Sequence, residues 1–444
     1  MNINLLSQNL ALMLCAATAG LLVYCLTRFD RRWLWRRLWS LVGASYIAAF
    51  LMQLLINYYV GGTTPFSLVF MMMPFTFAVG VFAFGVRHKH KPHLLGGTLV
   101  AVSLLFGLLM INGFYRFYPT LGTVFDRIDN VQSLDGSQGN VSVHFSGASS
   151  SKKSGGQAAG SATLEQSLDS VGKQSTAGKV YAIDIPAPAS NFTSRGSYVY
   201  VPAIASTLPA EKLPVIVLSA GFPGIPQNWL DSGLQQTMDD FAAKHQGITP
   251  LVFMVDNTGS LTDDTECVNS PRGNVETYMA VDVPNYIKSH FSVSANPANW
   301  ALGGLSMGGM CSIMLTLRHT NVYHYFDDLA GEVGPEVGSK QQTIDALFGG
   351  SEANWAAHQP DLLLAKNTYP GVGGFFGVGK QDALLVTSAE QTLYKDSQKA
   401  GMQSVFEEVS GQHTFDVWQQ LFKDSLPWLS NRLGATTCSD SSCY

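Results

Sequence analysis

Charged side chains are scarce: Asp, Glu, Lys and Arg make up 13% of the 444 residues, against roughly 25% in an ordinary soluble domain. That shortage excludes a charge-rich disordered chain. Lys and Arg number 27 against 32 Asp and Glu, so there is no basic surplus of the kind that grips nucleic acid. Cysteine is sparse too, and six in 444 residues do not make a small disulfide scaffold. What the chain has instead is apolar residues, 46% of the total, and a mean hydropathy of +0.12. Its few charges are unevenly placed. Residues 1–118 hold nine Lys or Arg and one acid, the remainder eighteen and thirty-one, so the two parts carry +8 and −13. At roughly 100–200 residues per domain, the length accommodates a membrane domain and one large soluble domain.

Four apolar runs, 5–26, 38–60, 66–86 and 94–114, contain no Lys, Arg, Asp or Glu. Each has the roughly 20 residues that a helix needs to cross a hydrocarbon core of about 30 Å, so a four-helix transmembrane domain is expected. Arg28, Arg31, Arg32, Arg36 and Arg37 fill the first loop and Arg87, Lys89 and Lys91 the third, whereas residues 61–65 carry no cation. Cytoplasmic loops are the basic ones. Both termini and everything after Phe114 are therefore expected outside the cytoplasm of a bacterial plasma membrane. The first run lacks a basic start and a small-residue cleavage site, which marks it as a retained helix. With no charge inside the spans, anchoring is the expected role. Gln53 and Asn57, one turn apart, fit either a neighbouring helix or a lipid.

Residues 146–178 are mostly Ser, Gly, Ala and Lys, a composition that cannot bury enough surface to order itself. The expected organisation is an anchor at 1–118, a juxtamembrane segment and Gly/Ser-rich linker at 119–178, an enzyme domain at 179–433 and a polar tail at 434–444. In the enzyme domain, strand-like runs at 198–201, 215–218, 251–255, 300–303, 374–379 and 405–409 alternate with helical patterns at 234–245, 275–290, 307–318, 387–400 and 414–433. Such alternation predicts a mostly parallel sheet covered by helices, with chemistry beyond the strands' carboxyl ends.

Gly304-Leu305-Ser306-Met307-Gly308 fits the nucleophile elbow, a sharp strand-to-helix turn that exposes a serine hydroxyl. In a chain with 43 glycines the pattern alone is weak, but a strand-like run precedes it and a helical one follows. The hydroxyl needs a histidine base, itself oriented by a carboxylate, in chain order Ser, acid, His. His413 is the one histidine far beyond the elbow. His319, His324 and His358 read as surface or helix-end residues. Asp382, at a strand's carboxyl end between Ser306 and His413, is the expected acid, with Glu332 and the Asp327-Asp328 pair as competitors. The oxyanion donors expected are the backbone N–H groups of Met307 and Phe222, the latter because Pro223 has none.

The elbow, the Gly411-Gln412-His413 segment followed by Trp418, and Pro427-Trp428-Leu429 together resemble the Putative esterase family of esterase D-like enzymes, feruloyl esterases and secreted mycolyltransferases. The resemblance covers roughly residues 180–432, and the preceding helices look like a membrane-anchored bacterial branch. It implies an α/β-hydrolase fold behind the four-helix transmembrane domain, and the same five site residues. It departs from the mycolyltransferases in the early loop, 222–226, which lacks their sugar-binding Arg.

Cys15 and Cys25 fall in the first span. Cys267, Cys311, Cys438 and Cys443 fall outside, where disulfides persist, with Cys267 to Cys311 and Cys438 to Cys443 as the expected pairs. No metal-ligand spacing appears. The Gly-rich segment 371–377 enters a strand and so does not meet the dinucleotide fingerprint; no cofactor is expected. The expected function is an extracytoplasmic serine esterase acting through an acyl-enzyme on an envelope lipid or acylated glycan, with the bilayer as its partner and no nucleic acid. Two alternatives stand beside it: an acyltransferase using the same groups, and an inactive sensor or scaffold.

Overall fold

The computed structural model describes residues 3–27, 31–60, 67–87, 93–116, 121, 132–133, 177–206, 213–260, 262–382 and 386–436. The chain divides into two compact units, Met1–Arg127 and Ile128–Tyr444.

The first unit has four helices, α1 (Gln8–Thr27), α2 (Arg31–Val60), α3 (Ser67–Arg87) and α4 (His93–Tyr115). Three of them, through Gln8–Thr27, Leu38–Leu55 and Leu95–Gly113, are long and apolar enough to cross a membrane. The expectation of four spans is corrected here. The apolar stretch of α3 among the described residues is Val69–Ala83, about 22 Å of helix at 1.5 Å per residue, short of a core of about 30 Å. Ala78, Val81 and Leu99 are buried together, with Leu21, Leu22 and Cys25 packed against them. The Thr76 hydroxyl of α3 donates to the Ser45 carbonyl of α2 at 3.0 Å. Leu12, Leu51, Phe70 and Leu105 are exposed. Long apolar helices with apolar outer faces are consistent with membrane anchoring. Gln53 is buried; the Asn57 side chain and the basic loop residues Arg28, Lys89 and Lys91 lie outside the described residues.

The second unit is built on a nine-stranded sheet in the order β1-β2-β3-β5-β4-β8-β9-β10-β11. Its strands are β1 (Gln132–Ser133), β2 (Lys179–Ile183), β3 (Ser197–Val201), β4 (Val215–Ser219), β5 (Leu251–Val255), β8 (Trp300–Leu305), β9 (Tyr325–Leu329), β10 (Gly373–Gly379) and β11 (Gln403–Val409), with a separate two-stranded ribbon of β6 (Asn269–Ser270) and β7 (Gly273–Asn274). β2 with β3 and β3 with β5 pair antiparallel, and the other neighbours pair parallel. This is the expected α/β-hydrolase architecture. The central strands β4, β5 and β8 are buried at every residue, which is why they read as unbroken apolar runs: parallel strands are covered on both faces. The covering helices include α5 (Leu234–Lys244), α6 (Val283–His290), α7 (Met307–Arg318), α8 (Lys340–Phe348), α9 (Val386–Lys399) and α10 (Phe415–Arg432).

The sequence expectations meet the observed strands within two residues for β3, β4, β5, β8, β10 and β11. Strand β9 was not anticipated, because its middle is Asp327-Asp328, both fully buried. From β4 the chain moves to β5 on one side, and later returns to β8 on the other. The two strands that part in this way leave a crevice at their carboxyl ends, and Ser306 follows β8 there.

Candidate active site

Ser306 sits between β8 and α7 with φ +56° and ψ −127°, a backbone setting that side chains rarely adopt. The turn is held by the Ser306 N–H, which donates to the Leu329 carbonyl at 2.9 Å, and by the Ser306 carbonyl, which accepts from Gly309 at 2.8 Å and Met310 at 3.2 Å. Its tightness requires glycine on both sides. A Cβ on Gly308 would come within 2.5 Å of the Ser219 carbonyl oxygen, and one on Gly304 would run into the backbone of Gly308.

The three polar residues singled out by chain order meet. Ser306 Oγ donates to His413 Nε2 at 2.9 Å, and His413 Nδ1 donates to Asp382 Oδ2 at 2.7 Å. These donor assignments follow from the carboxylate, which can only accept and so fixes the imidazole tautomer. The Asp382 side chain is fully buried and that of His413 is 20% exposed, so the carboxylate is shielded while the imidazole is partly open. Trp418 stands edge-on to the imidazole, ring centroids 4.8 Å apart. The loops carrying Asp382 and His413 are laced together: Lys380 N–H donates to Val409 at 2.8 Å and Gln381 N–H to Gly411 at 2.9 Å, and Gly411 N–H returns a bond to Gln381 Oε1 at 2.6 Å.

The loop after β4 lies beside the serine, since a Cβ on Gly221 would come within 2.9 Å of Ser306 Cβ. Donors from four directions fix its carbonyls. Trp229 Nε1 reaches Ser219 at 3.1 Å, Asn257 Nδ2 reaches Ala220 at 3.0 Å, Gly224 N–H reaches Gly221 at 2.6 Å and Arg195 reaches Gly224 at 2.8 Å. Phe222 lies within this braced loop, partly buried against the core. Met307 opens α7, and the first N–H groups of a helix have no partner within it.

Sequence reasoning missed the Arg195–Asp256 pair. Asp256 is fully buried and accepts from Arg195 at 2.6 Å. Its signal was available: Asp256 directly follows β5 at a strand's carboxyl end, where Asp382 was found by the same logic. The competing candidates go elsewhere. Arg318 Nε and His319 Nε2 each donate to Glu276 at 2.8 Å, and His358 Nε2 at 3.0 Å. Burial alone would raise the Glu276 carboxyl, but these three donors hold it well below the usual range. This cluster lies at the far end of α7, about 18 Å of helix from Ser306. A cavity of about 570 Å³ lined by Leu317, Arg318, His324 and Tyr369 is at that same end, and we assign it no part in the chemistry. Asp327 and Asp328 are buried inside β9, and neither is the carboxylate on His413.

Cys267 and Cys311 form the expected disulfide, Cα atoms 5.7 Å apart, tying the segment after β5 to α7. Cys438 and Cys443 lie outside the described residues. Cys15 and Cys25 are free thiols. Among the described residues no group of three or more His, Cys, Asp or Glu could hold a metal ion.

A family model described as Putative esterase matches residues 193–429, a span that contains every residue of this site. An uncharacterized protein of Corynebacterium glutamicum is 34% identical over 351 residues, 78% of this chain and 77% of that protein. Diacylglycerol acyltransferase/mycolyltransferase Ag85A of Mycobacterium leprae is 25% identical over 36% of this chain and 57% of its own length. Among solved structures, a ferulic acid esterase covers 57% of this chain and 98% of itself at 18% identity and a TM-score of 0.49. With the family model spanning more than half of its length around Ser306, the chain belongs to the Putative esterase family.

Proposed function

We propose that this protein is a membrane-anchored serine esterase whose catalytic domain faces outside the cytoplasm, cleaving an ester of an envelope lipid or acylated glycan. The observation that carries the reading is the continuous hydrogen-bonded row of Ser306, His413 and Asp382 at an elbow turn. In the proposed mechanism, Ser306 Oγ attacks the ester carbonyl while His413 Nε2 takes its proton, and Asp382 steadies the imidazolium. The N–H groups of Met307 and Phe222 receive the oxyanion, each worth on the order of 3 kcal/mol of barrier. His413 then protonates the departing alcohol, leaving an acyl group on Ser306. Water, deprotonated by the same imidazole, releases the acid and restores the serine.

An aminoacylated phospholipid is one concrete substrate for such a site. The family membership supports ester chemistry, and the apolar helices support a substrate met at the membrane. A fluorophosphonate probe is expected to label the purified protein, and Ser306→Ala to abolish both labelling and hydrolysis of p-nitrophenyl esters. A protein that fails to label, with no difference between wild type and Ser306→Ala, would leave the inactive scaffold as the better account.

Transfer of the acyl group to a sugar or lipid hydroxyl is the second reading, favoured by the likeness to Ag85A, whose description names acyl transfer. Only the acceptor differs. Envelope lipids of a deletion strain separate the two: an acylated species that accumulates supports hydrolysis, and one that disappears supports transfer.

A further inference from the structure

Asp328 and Glu390 are both fully buried, and no step above uses them. In β9, Asp328 lies in register with Gly304 of β8 and Phe376 of β10, and its Oδ1 occupies the space that a Cβ on Gly309 or Gly331 would need. The floor of the elbow is thus built around this carboxyl. Glu390 comes from α9, eight residues after Asp382, and its Oε1 accepts the Gly331 N–H at 2.7 Å. The two carboxyls meet at Gly331 and act on one another. Among the described residues no donor makes a well-formed hydrogen bond to either oxygen of Asp328 or to Oε2 of Glu390. Two carboxylates have only acceptors to offer, so a proton has to lie between them. Other titratable groups acting on the pair are carboxyls: Asp382 on Glu390 and Glu332 with Asp328. Asp327, next along β9, binds Ser425 at 2.6 Å. Among the described residues no Lys, Arg or His pairs with either carboxyl.

We propose that Asp328 and Glu390 share one proton and act as a positioning pair, clasping the segment that carries Asp382 to the segment that carries Ser306. The clasp is anchored close to both. Leu329, which follows Asp328, takes the Ser306 N–H on its carbonyl, and Gly331, two residues on, is bonded to Glu390. Burial raises Asp328 to about 7, the neighbouring Glu390 carboxyl and the Gly331 N–H acting against it, and burial followed by the Asp328 charge pushes Glu390 well above the usual carboxyl range. The clasp is therefore closed at neutral pH and opens in alkali, when the shared proton leaves and two buried charges repel.

The readout is ester turnover, so the proposal rests on the esterase reading. The experiment is kcat and KM against pH for the full-length protein in detergent with p-nitrophenyl butyrate, with Tm followed at each pH. Glu390→Ala is expected to lower kcat about tenfold or more at neutral pH with KM within about twofold, the pattern of misplaced catalytic groups rather than lost binding. Glu390→Gln offers an N–H at every pH; it is expected to recover most of that loss and to move the alkaline limb of kcat upward by about one pH unit or more. Asp328→Asn is expected to move the limb in the same direction. An alkaline limb unmoved in both amide variants would overturn the clasp, as would a loss in Glu390→Ala that merely tracks the folded fraction. A wild-type protein that neither turns over nor labels with fluorophosphonate would instead overturn the esterase reading.

Discussion

Ser306 is held at φ +56°, a conformation that costs on the order of 1–3 kcal/mol in a residue other than glycine, and three backbone hydrogen bonds hold it there. Strain of this kind persists where the surroundings over-determine it, so the role of Asp382 is separable from the fold. Asp382→Asn preserves the shape but lets the imidazole adopt the wrong tautomer, and kcat is expected to fall on the order of 10⁴-fold with little change in Tm. Asp327 carries a different consequence. Burial pushes it up to about 7, Ser425 acting against the rise and Asp328 with it. Its folded form holds a proton that the unfolded chain releases near pH 4. Across pH 4 to 7 the native state therefore binds more protons, and this residue's contribution to stability declines as pH rises through that window. Thermal melts at stepped pH are expected to show a shallower decline for Asp327→Asn than for the wild type. Asp382 was legible because it ends a Gly-rich strand in the right chain order. Asp256 ends a strand in the same way and was passed over, whereas the pairing of Asp328 with Glu390 gave no signal, because a buried acid and a surface acid look alike until their partners are known.

Strand, elbow and helix were read correctly from Trp300 to Arg318, since burial on both faces of β8 leaves an apolar run and the turn demands glycine. Periodicity failed where polar residues are buried, as in Asp327-Asp328 of β9, and where elements are short. Helix α8 was missed, although Ser339 and Gln342 form a capping box at its start. The helix expected over 275–290 is one path broken by a π segment, Tyr278–Asp282, between Val275–Thr277 and α6, a change of winding that periodicity does not resolve. Of the two disulfides expected, the one between Cys267 and Cys311 is present. The Cys267–Cys311 bond closes a loop of 44 residues, and replacing both cysteines by serine is expected to cost roughly 2–4 kcal/mol in urea unfolding. At the far end of α7, Glu276 is depressed by its three donors, so its contribution is present above the ordinary glutamate range and lost as pH falls below it. Glu276→Gln is expected to remove that acid-side loss.

At the scale of the whole chain, the division of charge noted in the sequence coincides with a division of the structure. The basic first part is helical and apolar, and the acidic second part holds the Putative esterase family domain. The number of helices long and apolar enough to span was less legible than their presence, because α3 lies near the limit of apolar length. Alkaline carbonate is expected to leave the protein in the membrane pellet. Trypsin added to intact spheroplasts is expected to cut at Lys152 or Lys153, as an external domain requires; protection of those sites would reverse the assigned orientation. One short element alters how the Gly/Ser segment acts. Gln132 and Ser133 pair with Tyr181 and Ala182 of β2, so the chain joins the sheet edge before that segment begins. The strands on either side of residues 134–178 are thus neighbours on one sheet edge. Trimming the residues between them changes a closure entropy that grows only as the logarithm of loop length.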